Sequence, residues 1–402
     1  MQCKDYKLSP NRDSVFSRLS TIWEETKKTS EWDNDIWRKG NTLQAVAQFY
    51  RSCADPTLAK LAMNIMLDGY KFYSDHKKIK WWVDDFGWWG GFFLTMIDYS
   101  SQFPFDPPFD RANLIEECKF VYSRMIENLD PQYGGIWNNP DLSANSCEKN
   151  TVTNSWMLIM AAGLANITLE SQYRSMAIAQ YTWLTTGQYN QYKPTSWRLY
   201  NPDGLVLWTP DGPYTHGPNF NLYPLTALWS GNEGVYLKGI QNFIGCMNDP
   251  NAKQTLIQEG ANLISKAISK STPNGFVDEQ DVMHESPIAA DWSNDLATGK
   301  GVALRFIVRF AETHNLVNDT LKDFVNATAQ SVWCSQDNKG EANSVIARNW
   351  NPGFGPGEEN IKETGGLWPQ VLQTNGLDAL NAAESLPQVT EESSMVTATA
   401  KK

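Results

Sequence analysis

The sequence predicts an all-α protein built as an (α/α)6 barrel, with six inner helices ringed by six outer ones. Three observations carry that expectation. Strand-like alternation is rare along the 402 residues, whereas the long apolar stretches have helical spacing. Six of those stretches are apolar on nearly every side, and each opens on a polar residue beside Gly or another small residue. Six further segments carry a charged face that belongs in water. Helices that are apolar all round need a second layer to shield them, so the alternation reads as one ring inside another. An irregular helical domain or a solenoid is the alternative.

In chain order, the amphipathic "DSVFSRLSTIWEETKK" precedes the first inner segment, "GNTLQAVAQFY", which opens at Asn41. "PTLAKLAMNIMLDGYKFY" leads to "DDFGWWGGFFLTMI" at Asp84, and "DRANLIEECKFVYSRMIENL" leads to "TNSWMLIMAAGLA" at Asn154. "TLESQYRSMAIAQYTWLTT" comes before "GNEGVYLKGIQNFIG" at Asn232, and "AKQTLIQEGANLISKAIS" before "GKGVALRFIVRFAE" near Lys300. "DTLKDFVNATAQSVW" and "TNGLDALNAA" at Asn375 complete the count. In a closed double ring the inner N-termini gather at one end, where their free N–H groups line a cavity. Loops at 129–150, 186–231, 271–295 and 335–366, rich in Gly, Pro, Asn and Trp, are placed to wall a groove at that mouth. Residues 1–385 are expected to form a single domain, and 386–402 a disordered tail with little to bury.

Composition narrows the partners. A formal charge of −11 disfavours nucleic acid and anionic membrane surfaces, leaving a neutral or weakly charged ligand. No apolar run reaches the roughly 18 residues of a membrane span. Seventeen Trp, fifteen Tyr and seventeen Phe supply flat apolar faces with one polar edge, suited to sugar rings, although each Trp taken singly fits a core equally well. The six cysteines are scattered without metal-ligand spacing, and the four histidines form no HExxH pattern, so no metal, cofactor or disulfide framework is called for. The N-terminus has no hydrophobic signal core, which fits either a cytoplasmic protein or one whose leader has been removed.

One stretch stands apart. "KWWVDDFGWWGG", residues 80–91, sets Asp84 and Asp85 between two pairs of tryptophans. Two like charges in a partly dry nest cannot ionise equally well, so one stays charged while its neighbour holds a proton towards neutral pH. That is the equipment of glycoside hydrolysis: one carboxylate attacks the anomeric carbon, and a protonated one serves the leaving oxygen. Successive helix residues point roughly 100° apart. Their carboxyls can therefore stand about 5–6 Å apart, nearer the retaining than the inverting range. The plainer reading is a helix cap followed by a first-turn acid.

"WVDDFGWWG", with "WRKGNTLQAV", "YGGIWNN", "EKNTVTNSWMLIMAAGLA", "WSGNEGVYLKGI", "GKGVALRFIVRF" and "QTNGLDALNAA", resembles glycoside hydrolase family 76, the endo-α-1,6-mannanases and their relatives. The resemblance runs from about residue 30 to 385 and implies the same (α/α)6 barrel. It implies Asp84 as nucleophile and Asp85 as general acid/base. It further implies Asn41, Asn154 and Asn232 as ligands of sugar hydroxyls or orienters of the carboxylates, with Trp88, Trp89 and Trp137 as stacking walls. The chain departs from the family pattern at "GGIWNN", at "SGNEG", which puts Glu233 in an unusual place, and in a longer loop "GLVLWTPDGPYTHGPNFN". Asp211 and Glu233 could add or replace a subsite there.

The resulting expectation is a retaining glycosidase acting on mannan or manno-oligosaccharide, working as a monomer without cofactor, in a secreted, periplasmic or cell-surface setting. A transglycosylase remodelling cell-wall glycans and a catalytically silent glycan-binding protein are the alternatives on the same site. A different enzyme of this shape, a sugar epimerase or an unsaturated uronyl hydrolase, would need histidine pairs or basic residues that the sequence does not signal.

Overall fold

The computed structural model describes residues 6–34, 36–100, 106–221, 226–285, 299–336, 345–350 and 368–387. Its helices are α1 (Leu8–Thr26), α2 (Ile36–Ser52), α3 (Pro56–His76), α4 (Val83–Ser100), α5 (Arg111–Ile126), α6 (Thr151–Thr168) and α7 (Ser171–Thr186). A hairpin of β1 (Arg198–Tyr200) and β2 (Val206–Asp211) follows. Then come α8 (Ser230–Cys246), α9 (Pro250–Ala267), α10 (Gly299–Thr313), α11 (Asp319–Cys334) and α12 (Trp368–Ser385).

Four of the outer helices, α3, α5, α9 and α11, start where the sequence provides caps. Asp55 accepts from the N–H groups of Thr57 and Leu58 ahead of Pro56, which donates no hydrogen bond and tolerates the first turn. Asp249 before Pro250 and Asn318 before Asp319 repeat the device. The inner helices are buried on all sides: every residue of α6 from Thr151 to Ala165 is inside.

Even-numbered helices α2, α4, α6, α8, α10 and α12 each pack on the next, and α12 closes the ring on α2. Outside them, α3 lies on α2, α5 on α4, α7 on α6 and α9 on α8, while α11 and α1 cover α12. This is the (α/α)6 barrel, and its inner helices run parallel. Residues early in one inner helix meet residues early in the next: a Cβ on Gly234 would stand 2.7 Å from the Ala303 Cα, and one on Gly301 would stand 2.8 Å from the Asn375 Cα. Only glycine allows that approach. All six N-termini therefore face one mouth.

Two expectations change. The polar openers are not caps, because the helices begin earlier. Asn41 lies in the second turn of α2, Asn375 about two turns into α12, and α6 is capped by Asn150, whose side chain accepts from the Thr153 N–H. The segment 186–231 also holds the β-hairpin, whose strand β2 buries Val206, Leu207, Thr209 and Pro210. Burial on both faces erases the alternation that would have marked it as a strand. The expected tail falls outside the described residues from 388 onward.

At the barrel axis, Arg305 of α10 is enclosed by its neighbours. Its Nε and Nη2 bind the two Asp378 oxygens of α12 at 2.9 and 2.5 Å, Nη1 reaches Gln44 Oε1, and Nη2 also reaches Asn41 Oδ1 at 2.9 Å. Gln44 in turn donates to the Trp88 carbonyl of α4. Truncating one partner strands a charge in a dry core. Asp378→Ala should therefore lower the unfolding free energy by about 3–5 kcal/mol. The paired change Arg305→Met with Asp378→Leu should recover most of that loss. Urea denaturation checks both, and a single variant as stable as the parent would remove this hub from the account.

Candidate active site

The opening of α4 is pinned before its aspartates begin. The Val83 N–H donates to the Asn138 carbonyl at 2.9 Å. Asn138 is itself paired with Glu148, N–H to carbonyl in one direction and Oδ1 to N–H in the other, both at 2.9 Å. Asp84 and Asp85 then occupy the first turn, where unpaired helix N–H groups favour negative charge. Asp84 is half-buried and Asp85 only 7% exposed, so the pair stands at the edge of the mouth rather than in open water. One turn on, Trp88 meets Trp156 edge-on at 4.9 Å, Trp37 at 5.5 Å and Trp229 at 6.5 Å. Four indoles from α2, α4, α6 and the start of α8 thus pack beneath the carboxylates.

A third acid lies close by. Glu148, 1% exposed, accepts from Trp208 Nε1 at 2.7 Å and from the Thr209 hydroxyl, both on β2. Burial pushes its carboxyl up to about 7. The Thr209, Trp208 and Asn150 donors pull the other way, and the charge of Asp84 adds to the rise. His216 Nε2 stands 4.0 Å from it, and burial lowers that imidazole's affinity for a proton. Trp208 also meets Trp229 at 5.9 Å, which extends the indole cluster onto the hairpin.

The other expected site residues are placed differently. Asn154 is fully buried: its Oδ1 accepts from the Ile136 N–H and Gln180, and its Nδ2 donates to the Ile136 and Asn150 carbonyls. Those four bonds fill its hydrogen-bonding capacity, so it clamps the 129–150 loop to α6. Asn232, also buried, donates to the Leu207 carbonyl, and Glu233 accepts the Val206 N–H at 2.8 Å, so both stitch the hairpin to α8. Burial raises the Glu233 carboxyl well above its ordinary range. Asn41 serves the Arg305 hub, 3% exposed. Trp89 turns to the outer ring, against Tyr73 and Phe72 of α3, and donates to the Ile36 carbonyl. Trp137 stays half-buried with Lys149 Nζ 4.5 Å over its ring, while that ammonium binds Asp130 at 2.7 Å. Asp211 is tied to Arg198 across the hairpin. The structure therefore sets Asp84 and Asp85 at the mouth with Trp137 on the adjoining loop, buries Trp88 beneath them at 2% exposure, and seats Trp89 and the asparagines among backbone and core contacts.

Sequence reasoning missed Glu148, Trp208, Trp229 and Glu285. Glu285 accepts from the Ser230 N–H and hydroxyl and from the Lys300 N–H, so one carboxylate caps both α8 and α10. Nothing in spacing marks it, because the pairing crosses 55 positions of chain. Glu148 had a faint signal, an acid two residues before the Asn150 cap. Among the described residues no cluster of His, Cys, Asp and Glu suits a metal.

Glu148 titrates near 4.5 when exposed and near 7 when folded. Its folded value is the higher one, so its contribution to stability is complete below the first value and lost as pH rises through the second. Between about pH 4 and pH 8 the parent should lose on the order of 3 kcal/mol more unfolding free energy than Glu148→Gln, measured by urea denaturation. Equal losses would show that Glu148 is not held in its neutral form.

A sequence model of glycosyl hydrolase family 76 matches residues 12–392. Curated protein sequences give no match. Among solved structures, the α-1,6-mannanase GH76A of Salegentibacter sp. HEL1_6 superimposes with a TM-score of 0.65 at 15% identity, over 93% of this chain and 99% of that one. An inactive variant of it, with two consecutive aspartates changed to asparagine and in complex with α-1,6-mannotriose, gives 0.64 at 15% identity over 92% and 98%. Dfg5 of Chaetomium thermophilum in complex with glucosamine gives 0.65 at 17% identity over 94% and 92%. At such identities the structures carry the fold alone, whereas the family model spans nearly the whole sequence: the chain belongs to glycosyl hydrolase family 76 and is a glycoside hydrolase by family.

Proposed function

We propose that the protein is a retaining glycoside hydrolase that cleaves α-mannan, at α-1,6 linkages, with Asp84 as nucleophile and Asp85 as general acid/base. The observation that carries this reading is the pair of consecutive acids in the first turn of an inner helix, above packed indoles and at the mouth where six helix N-termini converge. The Salegentibacter variant supports it, since asparagines at two consecutive aspartates leave that enzyme inactive with α-1,6-mannotriose bound.

In the first step an Asp84 oxygen bonds to the anomeric carbon as the glycosidic C–O bond breaks, and Asp85 gives its proton to the departing oxygen. In the second, Asp85 takes a proton from water, the hydroxide oxygen bonds to the anomeric carbon, and Asp84 leaves with its charge restored. Between turnovers the α4 N-terminus steadies the Asp84 carboxylate. Trp137, half-buried on the adjoining loop, is proposed as an apolar wall for a sugar face, whereas Trp88, buried in the indole cluster, is proposed to support the carboxylates from beneath. Residues 1–385 would act as one monomeric catalytic domain, on a polymer met outside the cytoplasm. With a sugar hydroxyl in place of water the same intermediate performs transfer, and the glucosamine-bound neighbour makes that acceptor class worth including in product analysis.

Asp84→Asn should abolish release of mannose oligomers from α-1,6-mannan while the circular dichroism spectrum stays that of the parent. Parental turnover by that variant would end the assignment. Asp85→Asn should slow the unactivated oligosaccharide by about 10²–10⁴-fold. It should slow an aryl mannoside far less, because a good leaving group needs no proton.

A further inference from the structure

Glu148 lies outside the reaction just described, yet the chain takes unusual care of it. Its backbone is paired twice with Asn138, the residue whose carbonyl holds the first N–H of α4. Its carboxyl is sealed from solvent and grips Trp208 and Thr209 of the hairpin. It thus joins the helix that carries the aspartates to the strand that carries an indole of the same cluster. We propose that Glu148 is a positioning residue of the Asp84–Asp85 site, a third carboxyl that fixes Trp208 on the hairpin and, through Asn138, the opening of the helix that presents the two aspartates. The proposal rests on the glycosidase reading for its catalytic consequence, though not for its physical content.

Among the charged groups around Glu148, Asp84 adds to the rise that burial causes. His216 faces it at 4.0 Å but is disfavoured as a cation by burial, with Asp211 drawing it the other way. Lys149, its neighbour in sequence, points to Asp130. Cys147 is pushed by burial up to about 11 and so stays a neutral thiol near pH 7. Negative charge on Asp84 makes Glu148 hold its proton, and by linkage a charge on Glu148 makes the aspartate site hold its own. When Asp84 forms a bond to sugar it loses that charge, and Glu148 is then freer to ionise.

Infrared spectroscopy of the full chain reads this directly. The band of a protonated carboxyl absent from Glu148→Gln identifies the residue, and its pH midpoint is followed in the parent and in variants. Asp84→Asn should move the midpoint down by at least about half a pH unit, because a like charge is gone. Trp208→Phe should move it up, because a donor to the charged form is gone. If Glu148→Gln does not fold, these two opposite movements of the protonated-carboxyl band carry the test. A midpoint that Asp84→Asn leaves in place would overturn the proposal. In turnover, Glu148→Gln should move the alkaline limb of kcat/KM to lower pH and leave the acid limb where it is; superimposable profiles would overturn it equally. A parent enzyme that cleaves no α-1,6-mannan would instead end the glycosidase reading and leave the infrared result standing.

Discussion

Arg305 sets the terms for the rest of the molecule. A guanidinium deep in a ring of helices is tolerable only when its donors are answered, and here α2 and α12 both answer them. Those contacts fix how α2, α10 and α12 stand in rotation and height. Gln44 passes the constraint to α4 through the Trp88 carbonyl. The helix that presents the two aspartates is therefore registered against three others by a polar network, where greasy contacts alone would let it slide.

Above that network, the mouth is assembled from loops that the inner helices hold by side chain. Asn154 grips the 129–150 loop, whose own Asn138 holds the start of α4 through its backbone carbonyl, and Thr151 and Asn232 both donate to the Leu207 carbonyl of the hairpin. Long loops normally give mobile walls. Here each one near the carboxylates ends in a buried bond to a helix opening, which is how a site made of loops can keep fixed distances.

The barrel was legible because it depends on a property that survives in a one-dimensional pattern: six apolar segments alternating with six amphipathic ones. The acids at 84 and 85 were legible for a related reason, since consecutive charges between paired tryptophans break that pattern locally. What escaped the sequence was pairing at a distance. Asn154 and Asn232 looked like site residues because polar groups in apolar helices invite that reading, and only coordinates reveal the backbone groups they satisfy. Trp88 and Trp89 are indistinguishable in the sequence, yet the roughly 100° step between them sends the first to the indole cluster beneath the carboxylates and the second to α3. Glu148 drew no notice because its partners come from a strand that the periodicity concealed.

The hairpin has one more consequence. Leu207, Val206, Trp208 and Thr209 are held by Thr151, Asn232, Glu233 and Glu148, so three of its four anchors belong to inner helices and the fourth to the loop before α6. Such a segment cannot be exchanged between relatives as an independent cassette. A transplant that brought the loop without those four anchors would strand buried polar atoms, so hairpin and anchors form one unit of exchange.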